Sequence, residues 1–362
     1  MAGAIIGSFG LMQVIFRLPF GIWADRMRFH KLFIFIGIAS AIISSLIFFF
    51  SDNIYFTLLA RACVGITASA WVNITVLFSR CFRREETVKA MGLLNFFICF
   101  GQILGMVAGA LLIGWVGGEY GLRAGYNSAF ILSFVAAVLC LIPAAIIRET
   151  RESRGDFTPV SARKIKSVIS DKRLLSVSAI SIVMQFITFG LTFGFLTEYA
   201  HNVLHTTPVQ NGVLTVVPYI PTALGALIIS KISVGRTREP ALVFLGMMLM
   251  SVFTIITPFI PNFWMLVSVQ TIVGIGRGIS FPLLMGLAIK HIAPEYHGTA
   301  MGTFQASYAI GIFVGPLFSG VIGDIFSLQY AFFLCGALCM AMAAIGYYLI
   351  KWTDANRFRN AI

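Results

Sequence analysis

Charged side chains are scarce in this sequence. Asp, Glu, Lys and Arg make up 11% of the 362 residues, whereas hydrophobic residues make up 58%. Soluble globular domains carry about 25% charged and about 45–50% apolar residues, and their cores cannot absorb the excess found here. The composition therefore excludes an ordinary soluble domain and indicates a membrane protein.

The long apolar runs lack the alternation of polar and apolar residues that marks the strands of a membrane β-barrel. Each run has about 20 residues or more, enough to cross a hydrocarbon layer about 30 Å thick as a helix rising about 1.5 Å per residue. The sequence therefore predicts an all-α membrane protein. We predict eleven transmembrane helices, over Ala2–Trp23, Leu32–Phe50, Ile54–Phe78, Met91–Val116, Tyr126–Ile147, Leu174–Tyr199, Val209–Ser230, Ala241–Ile260, Phe263–Ile289, Thr299–Ile322 and Ala331–Tyr348.

Cysteine and histidine groups with the spacing of a metal site are also missing. The six cysteines are scattered, mostly inside apolar runs, which predicts packing roles. His201 and His205 lie four residues apart beside Glu198, but Thr206-Thr207-Pro208 follow them in a predicted outer loop. We therefore predict no metal, no cofactor and no enzymatic site. An enzyme acting on lipid carriers would need an acid, histidine or metal cluster that the five histidines do not form.

Basic residues are abundant by comparison, with 26 Lys and Arg against 14 Asp and Glu. When the loops between successive predicted helices are placed on alternate sides of the membrane, all but four of the basic residues lie on one side. The four are Arg17, Arg61, Arg123 and Arg277. The positive-inside rule makes the basic side cytoplasmic, so we expect the amino terminus outside and the carboxyl terminus inside. We therefore expect the basic residues behind the net charge of +12 to contact anionic lipid headgroups and not a nucleic acid.

The sequence repeats itself after a shift of 210 positions. The residues that match include Arg80 with Lys290, Gly101 with Gly311, Gly105 with Gly315, and Ala90-Met91-Gly92 with Ala300-Met301-Gly302. Matches at one offset predict two duplicated halves, with a substrate pathway between them as in secondary transporters. The predicted parts are an N-terminal bundle of five helices (1–147), a cytoplasmic linker (148–173) and a C-terminal bundle of six helices (174–362).

The same shift indicates a helix upstream of this sequence. Met1 falls opposite Asn211, at the start of the second predicted helix of the C-terminal half. Ala2–Trp23 lacks the basic leading region of a signal peptide and runs into a charged turn. We therefore expect that the first helix of a twelve-helix fold is missing here, through a mis-called start, a fragment or a true variant.

A family motif follows the first predicted helix. Gly21-Ile-Trp-Ala-Asp25-Arg26, followed by His30-Lys31, resembles the cytoplasmic loop motif G-x-x-x-D-R-x-G-R-K of the major facilitator superfamily. Arg28 and Phe29 depart from it, because glycine and arginine are expected there. The resemblance implies a gate in which the acidic–basic pair at a helix end bonds the free amides of a neighbouring helix. A solvated turn that obeys the positive-inside rule is the alternative. The gating residues are predicted to be Gly21, Asp25, Arg26 and Lys31.

Three further motifs are similar to those of bacterial-type members of the family. Arg61-x3-Gly65 resembles the helix 4 motif, Gly101-x3-Gly105-x3-Gly109 the helix 5 motif, and Gly311-x3-Gly315-Pro316 its helix 11 counterpart. Small residues at this spacing let helix backbones approach, so we predict helix packing at these glycines and a bend at Pro316. Met106 stands where the antiporter form of the helix 5 motif has proline, which leaves the direction of transport open. The resemblance covers essentially the whole chain and implies the major facilitator fold, with two helical bundles.

Three arginines lie inside predicted helices, where a charge at the bilayer centre costs at least about 2.5–3.5 kcal/mol and must face protein or water. Arg61 and Arg277 lie deep, and the resemblance implies that their helices surround a central cavity, where they could bind an anionic group or modulate a proton site. Arg17 lies nearer the cytoplasmic end. Contact with backbone carbonyls or headgroups is the alternative for these arginines. The other cavity candidates, for which simple packing is the alternative, are Glu198, Trp71, Asn95, Gln185, Phe189, Gln305 and Tyr308.

These features predict a secondary active transporter of a small organic solute or drug-like compound that works by alternating access, with protons or another ion as the candidate coupling partner. We expect a monomer in the plasma (inner) membrane, with the lipid bilayer and the small-molecule substrate as its partners. An inactive or receptor-like transporter remnant is the alternative, and a membrane enzyme fits less well.

Overall fold

The chain is almost entirely helical. The structure, a computed structural model, describes residues 2–51, 53–147, 149, 161–232 and 238–359. Its α-helices are α1 (Ala2–Met27), α2 (His30–Phe50), α3 (Ile54–Ser69), α4 (Trp71–Ser79), α5 (Thr87–Tyr120), α6 (Leu122–Ile146), α7 (Ala162–Ile169), α8 (Lys172–Ile187), α9 (Leu196–Leu204), α10 (Pro208–Val216), α11 (Tyr219–Lys231), α12 (Glu239–Ile256), α13 (Phe263–Ile289), α14 (His297–Ile325) and α15 (Leu328–Arg359). There are also 3-10 turns at Arg84–Glu86, Thr257–Phe259 and Pro294–Tyr296, and a π-helical turn at Thr188–Thr192.

Ten helices or joined helices of the described residues are long and apolar enough to cross a membrane. Three of them are composite, joining α3 with α4, α8 with α9, and α10 with α11. Each predicted span after the first overlaps one of the ten, which confirms the all-α membrane prediction. The first helix, α1, has 26 residues and is not one of the ten. The number of eleven spans and the missing first helix stay predictions.

The helices form two groups that meet along two seams. Helices α1–α6 pack against one another, and so do α8–α15. Between the groups, α1 lies along α14, and α5 lies along α11 and α13. At the second seam a Cβ on Gly92 of α5 would lie 2.7 Å from the carbonyl oxygen of Ala226 on α11. The residue bounds of the two predicted halves stay a prediction.

Glycines bring α14 against two other helices. A Cβ on Gly311 would lie 2.8 Å from the amide nitrogen of Phe186 on α8, and one on Gly315 would lie 3.1 Å from the backbone of the π-helical turn. On the seam with α1, a Cβ on Gly302 would lie 3.1 Å from the Cα of Leu18. Without side chains at these positions α14 fits directly between α1 and α8. The helix continues through Pro316 to Ile325.

The glycine row of α5 does not pack in this way. A Cβ on Gly101, Gly105 or Gly109 would meet no described atom within 4 Å, and Gly101 and Gly105 are exposed. The close contact of α5 with α11 lies nearer its start, at Gly92. The packing role predicted for the three glycines stays a prediction, because small-residue spacing marks a smooth helix face without saying which helix covers it.

The predicted linker is described in part. Residues 148 and 150–160 lie outside the described residues, and the remainder contains α7, which packs against α8 and α14. Arg173, assigned to the linker by the sequence, is the second residue of α8 and is only 2% exposed. Its guanidinium pairs with Asp354 and lies 3.7 Å from Glu239, which in turn lies 2.5 Å from Nζ of Lys290. These four charges neutralise one another inside the second group of helices.

Glu149 and Lys31 cap two helix ends against each other. The carboxylate of Glu149 accepts hydrogen bonds from the amides of His30 (2.8 Å) and Lys31 (3.1 Å) at the start of α2. Nζ of Lys31 donates to the carbonyl oxygens of Ala145 (2.6 Å) and Ile147 (2.9 Å) at the end of α6. A negative group at a helix start and a positive group at a helix end both suit the helix dipole.

Replacing Lys31 by methionine is expected to lower the free energy of unfolding by about 1 kcal/mol, because two carbonyl groups at the end of α6 lose their charged donor. Lys89→Met is the matched control, since Lys89 lies 3.0 Å from Glu86 in an exposed pair, a kind of pair that contributes little to stability. Thermal unfolding in detergent measures both variants. Equal destabilisation by the two substitutions would contradict the capping role of Lys31.

Candidate functional site

At one end of the bundle α1 stops beside the beginning of α14. Helices α1, α4 and α13 end here, and α2, α5 and α14 begin here; we call this end the basic face. The carboxylate of Asp25 accepts hydrogen bonds from the amides of Gly298 (2.9 Å) and Thr299 (2.5 Å) and from the Thr299 hydroxyl (2.7 Å). These amides have no partner inside α14, and the positive end of its dipole faces the carboxylate. The contact expected of Asp25 is therefore present; its role as a gate stays a prediction.

A pair of glycines lets the two helices come this close. Gly21 lies one turn before Asp25, and a Cβ on it would meet the carbonyl oxygen of Gly298 and lie 2.7 Å from its carbonyl carbon. A Cβ on Gly298 would lie 2.6 Å from the carbonyl oxygen of Gly21. A side chain at either position would push α1 away from α14. Gly21 and Asp25 therefore serve the same contact between the two groups of helices.

His30 forms a second layer behind Asp25. Its ring is fully buried, with Nε2 3.8 Å from the Asp25 carboxylate. Nε2 also lies 3.0 Å from Nη2 of Arg80, and Nδ1 lies 2.9 Å from Oδ1 of Asn73. Because a guanidinium only donates and an amide oxygen only accepts, Nε2 accepts from Arg80 and Nδ1 donates to Asn73. The ring is neutral in this arrangement, and Arg80 supplies the positive charge near Asp25.

The other motif positions differ in their surroundings. Arg26 is exposed at the basic face, and Lys31 caps α6. Arg28 has a φ of 49°, in the left-handed region that costs an L side chain about 1–2 kcal/mol. The family motif has glycine at this position. Arg28 therefore adopts a backbone conformation that glycine would adopt more easily.

Two turns before Asp25 on α1, Arg17 contacts two predicted cavity residues on α14. It is only 4% exposed, and it lies eight residues before Asp25, about 12 Å along the helix. Nη1 donates to the carbonyl oxygen of Gln305 (3.0 Å), and the guanidinium carbon lies 4.6 Å from the ring centre of Tyr308. The side-chain amide of Gln305 lies 3.3 Å from the Thr75 hydroxyl on α4. Three predicted residues are thus brought together across the first seam.

Arg277 on α13 lies among aromatic rings. Its guanidinium carbon is 5.2 Å from the ring centre of Phe193 and 6.0 Å from that of Tyr219. It interacts electrostatically with Tyr308 and with Cys99 on α5, which connects it to the surroundings of Arg17. On the second seam, Nδ2 of Asn95 donates to Sδ of Met285 on α13 (3.2 Å). We call Arg17, Gln305, Tyr308 and Arg277 the central cluster.

Several predicted residues stay outside the central cluster. Glu198 is exposed in the first turn of α9, and its place as an embedded charge stays a prediction. The predicted span is interrupted there by the π-helical turn, and α9 begins after it. Arg61 and Trp71 are half-buried on α3 and α4, and Gln185 is buried in α8.

Gly65 packs against α1, since a Cβ on it would lie 2.8 Å from the carbonyl oxygen of Phe9. Within the described residues no group of three or more His, Cys, Asp or Glu side chains is placed to hold a metal ion.

Sequence reasoning did not single out Thr299, Asn73, Phe193 or Tyr219 in these roles. One signal was available for the basic face, because Arg80 and Lys290 match in the repeat. Arg80 contacts the first residue of α2, and Lys290 contacts the first residue of α12. The repeat therefore marks two equivalent cations at the basic face.

The fold, the apolar spans and the seam between two helical groups define a multi-span helical membrane protein of the transporter class. The model of the Major Facilitator Superfamily matches residues 1–202 and 178–360. Curated relatives include the inner membrane transport protein YajR of Escherichia coli (strain K12), 27% identical over an alignment of 359 residues that covers 94% of this chain and 73% of the relative. Another is the multidrug resistance protein MdtG of Dickeya zeae (strain Ech586), 24% identical over 314 residues, 85% of this chain and 73% of the relative.

The solved structures include a crystal structure of the E. coli fucose:proton symporter FucP, which matches with a TM-score of 0.76 at 14% identity. The match covers 97% of this chain and 90% of that one. The chain belongs to the major facilitator superfamily, which confirms the predicted family, and it has the major facilitator fold.

Proposed function

We propose that this protein is a secondary active transporter that moves a small organic solute or drug-like compound across the plasma membrane by alternating access. The observation that carries the proposal is the bond between Asp25 and the amino terminus of α14, which closes the basic face over the central cluster. Opening this face would break the hydrogen bonds of Asp25 and separate Gly21 from Gly298, and packed interfaces of this kind switch between discrete arrangements. The names of the relatives, a transport protein, a multidrug resistance protein and a fucose:proton symporter, support this function.

The proposal includes an orientation. The basic face is cytoplasmic, because the loops at this end carry most of the Lys and Arg residues. The amino terminus of the given chain is then outside and the carboxyl terminus inside. The working unit is a monomer of two bundles, 1–147 and 174–362, that rock about the central cluster. Protons are the first candidate for the coupling ion, since the matched structure is that of a proton symporter.

Uptake into proteoliposomes tests the proposal. The purified full chain is reconstituted, and the uptake of L-fucose, ethidium and 1-naphthalenesulfonate is followed with and without an imposed pH gradient. We expect at least one compound to enter faster than in protein-free liposomes, with the excess lost in Gly21→Val. Binding without uptake for every compound would contradict the transporter and favour the receptor-like remnant.

A further inference from the structure

The central cluster holds two arginines that have no carboxylate counter-ion among the residues that the structure describes. Nε of Arg17 and both Nε and Nη1 of Arg277 are buried and have no hydrogen-bond partner among the described residues. Neither guanidinium has a carboxylate as an ion-pair partner in the part of the chain that the structure describes. Each arginine keeps a full positive charge at neutral pH. The cluster therefore has unused donors and an unbalanced positive charge.

Another buried arginine of this protein, Arg173, does lie beside carboxylates. Arg173 is as buried as Arg17, and its guanidinium faces the carboxylates of Asp354 and Glu239. The buried carboxylate nearest the central cluster in sequence, Asp25, is bonded to the amides of α14. A buried charge that only supports the fold is paired in this way. Charged residues that face the interior of a membrane bundle mark substrate or ion pathways.

Aromatic rings surround the two guanidinium groups. The ring of Phe193 stacks on that of Tyr219 with centroids 4.7 Å apart, beside Arg277. Tyr308, under Arg17, packs edge-on against Phe281 and Phe304 at 5.6 Å and 5.5 Å. Such surfaces suit a flat apolar body and offer few acceptors to a second polar group.

The side chain of Arg277 is more accessible to a ligand than that of Arg17. Its side chain is half-buried, whereas that of Arg17 is fixed by the Gln305 carbonyl and the Tyr308 ring. Both arginines interact electrostatically with the same Tyr308 side chain, so one anion near this ring is attracted by both.

We infer that the substrate is an organic anion with an aromatic body, whose carboxylate or sulfonate group binds between Arg17 and Arg277. The inference rests on the proposed function and names its substrate class. Anionic oxygens give the orphaned donors the acceptors that the protein does not supply. The aromatic body lies against Phe193, Tyr219 and Tyr308.

Binding of matched probes to the purified full chain tests this inference. The probes are 1-naphthalenesulfonate and 1-naphthoate, each compared with its neutral amide, naphthalene-1-sulfonamide or 1-naphthamide. Affinity is measured by isothermal titration calorimetry in detergent. We expect at least one anion to bind ten times more tightly than its amide. Arg277→Gln should weaken that anion at least tenfold, and Arg277→Lys should weaken it less because the charge is kept.

Arg123→Gln is the charge-matched control, because Arg123 is exposed in the first turn of α6, at the opposite end of the bundle. It should leave the affinity for the anion unchanged. Thermal unfolding checks that Arg277→Gln is folded. Arg17→Gln is a second variant of the same site. Equal binding of anion and amide, no binding of either anion, or wild-type affinity in Arg277→Gln would each overturn the inference.

The binding test and the uptake test separate the two proposals. Uptake of L-fucose or ethidium without binding of either anion would leave the transporter standing and remove the anion site. Arg277-dependent binding of an anion without uptake of any compound would leave the anion site standing and remove the transporter.

Discussion

Replacing Gly21 by valine is expected to reduce transport about five- to hundredfold. The new Cβ would overlap the carbonyl group of Gly298, which is backbone and cannot rotate away. Overpacking of this kind costs about 1–3 kcal/mol, and about 1.4 kcal/mol changes an equilibrium tenfold. The cost falls on the state in which the basic face is closed, so the protein would be held open at that face. Initial rates of uptake into proteoliposomes measure the effect.

Gly101→Val is the matched control for this substitution. Gly101 is also a glycine of a long apolar helix, but a Cβ on it would meet no described atom within 4 Å. We expect near-normal uptake in this variant. Comparable losses in the two variants would show that any valine in a membrane helix impairs the protein, and the account of the seam would fail.

Replacing Asp25 by asparagine is expected to lower transport about ten- to hundredfold. Asparagine is nearly the same size, but it carries no charge for the amides and the dipole of α14. A hydrogen bond to a charged group contributes about 1.5–3 kcal/mol, and the carboxylate accepts three such bonds. A cysteine placed at Thr303, which is buried on α14 one turn beyond the contact, should react faster with a reagent added at the basic face.

Asp324→Asn is the control for the loss of one negative charge. Asp324 is exposed near the other end of α14, so its charge does not act on the seam. Uptake and cysteine reactivity should stay close to the wild type. If Asp25→Asn also left both unchanged, the bond between Asp25 and α14 would be a static contact and not a gate.

The transmembrane helices could be read from the sequence because their signal is local. A run of apolar residues long enough to cross the bilayer must form a helix to satisfy its own backbone, whatever surrounds it. The contact of Asp25 could also be expected, because a carboxylate in a charged turn needs donors and a helix start offers free ones. Phe263–Ile289 is predicted and observed with the same ends.

The central cluster was predicted only in part because it depends on how distant helices meet. Arg17, Gln305 and Tyr308 were candidates because of their residue types and their depth in the predicted helices. The sequence around each of them does not show that Arg17 lies on the ring of Tyr308. Phe193 and Tyr219 look like ordinary apolar residues of their helices until Arg277 is placed beside them. The π-helical turn before α9 was not predicted, because it leaves no mark in the apolar pattern.

Accessibility of Cys99 from the two sides of the membrane tests alternating access most directly. Cys99 is buried on α5 and interacts electrostatically with Arg277, so in a variant that keeps it as the sole cysteine it reports on the central cluster. A membrane-impermeant thiol reagent is added to right-side-out and to inside-out vesicles. Labelling from both sides is predicted, with Gly21→Val raising the rate at the basic face and lowering it at the other. Labelling from one side only, at a rate that Gly21→Val does not change, would contradict the account.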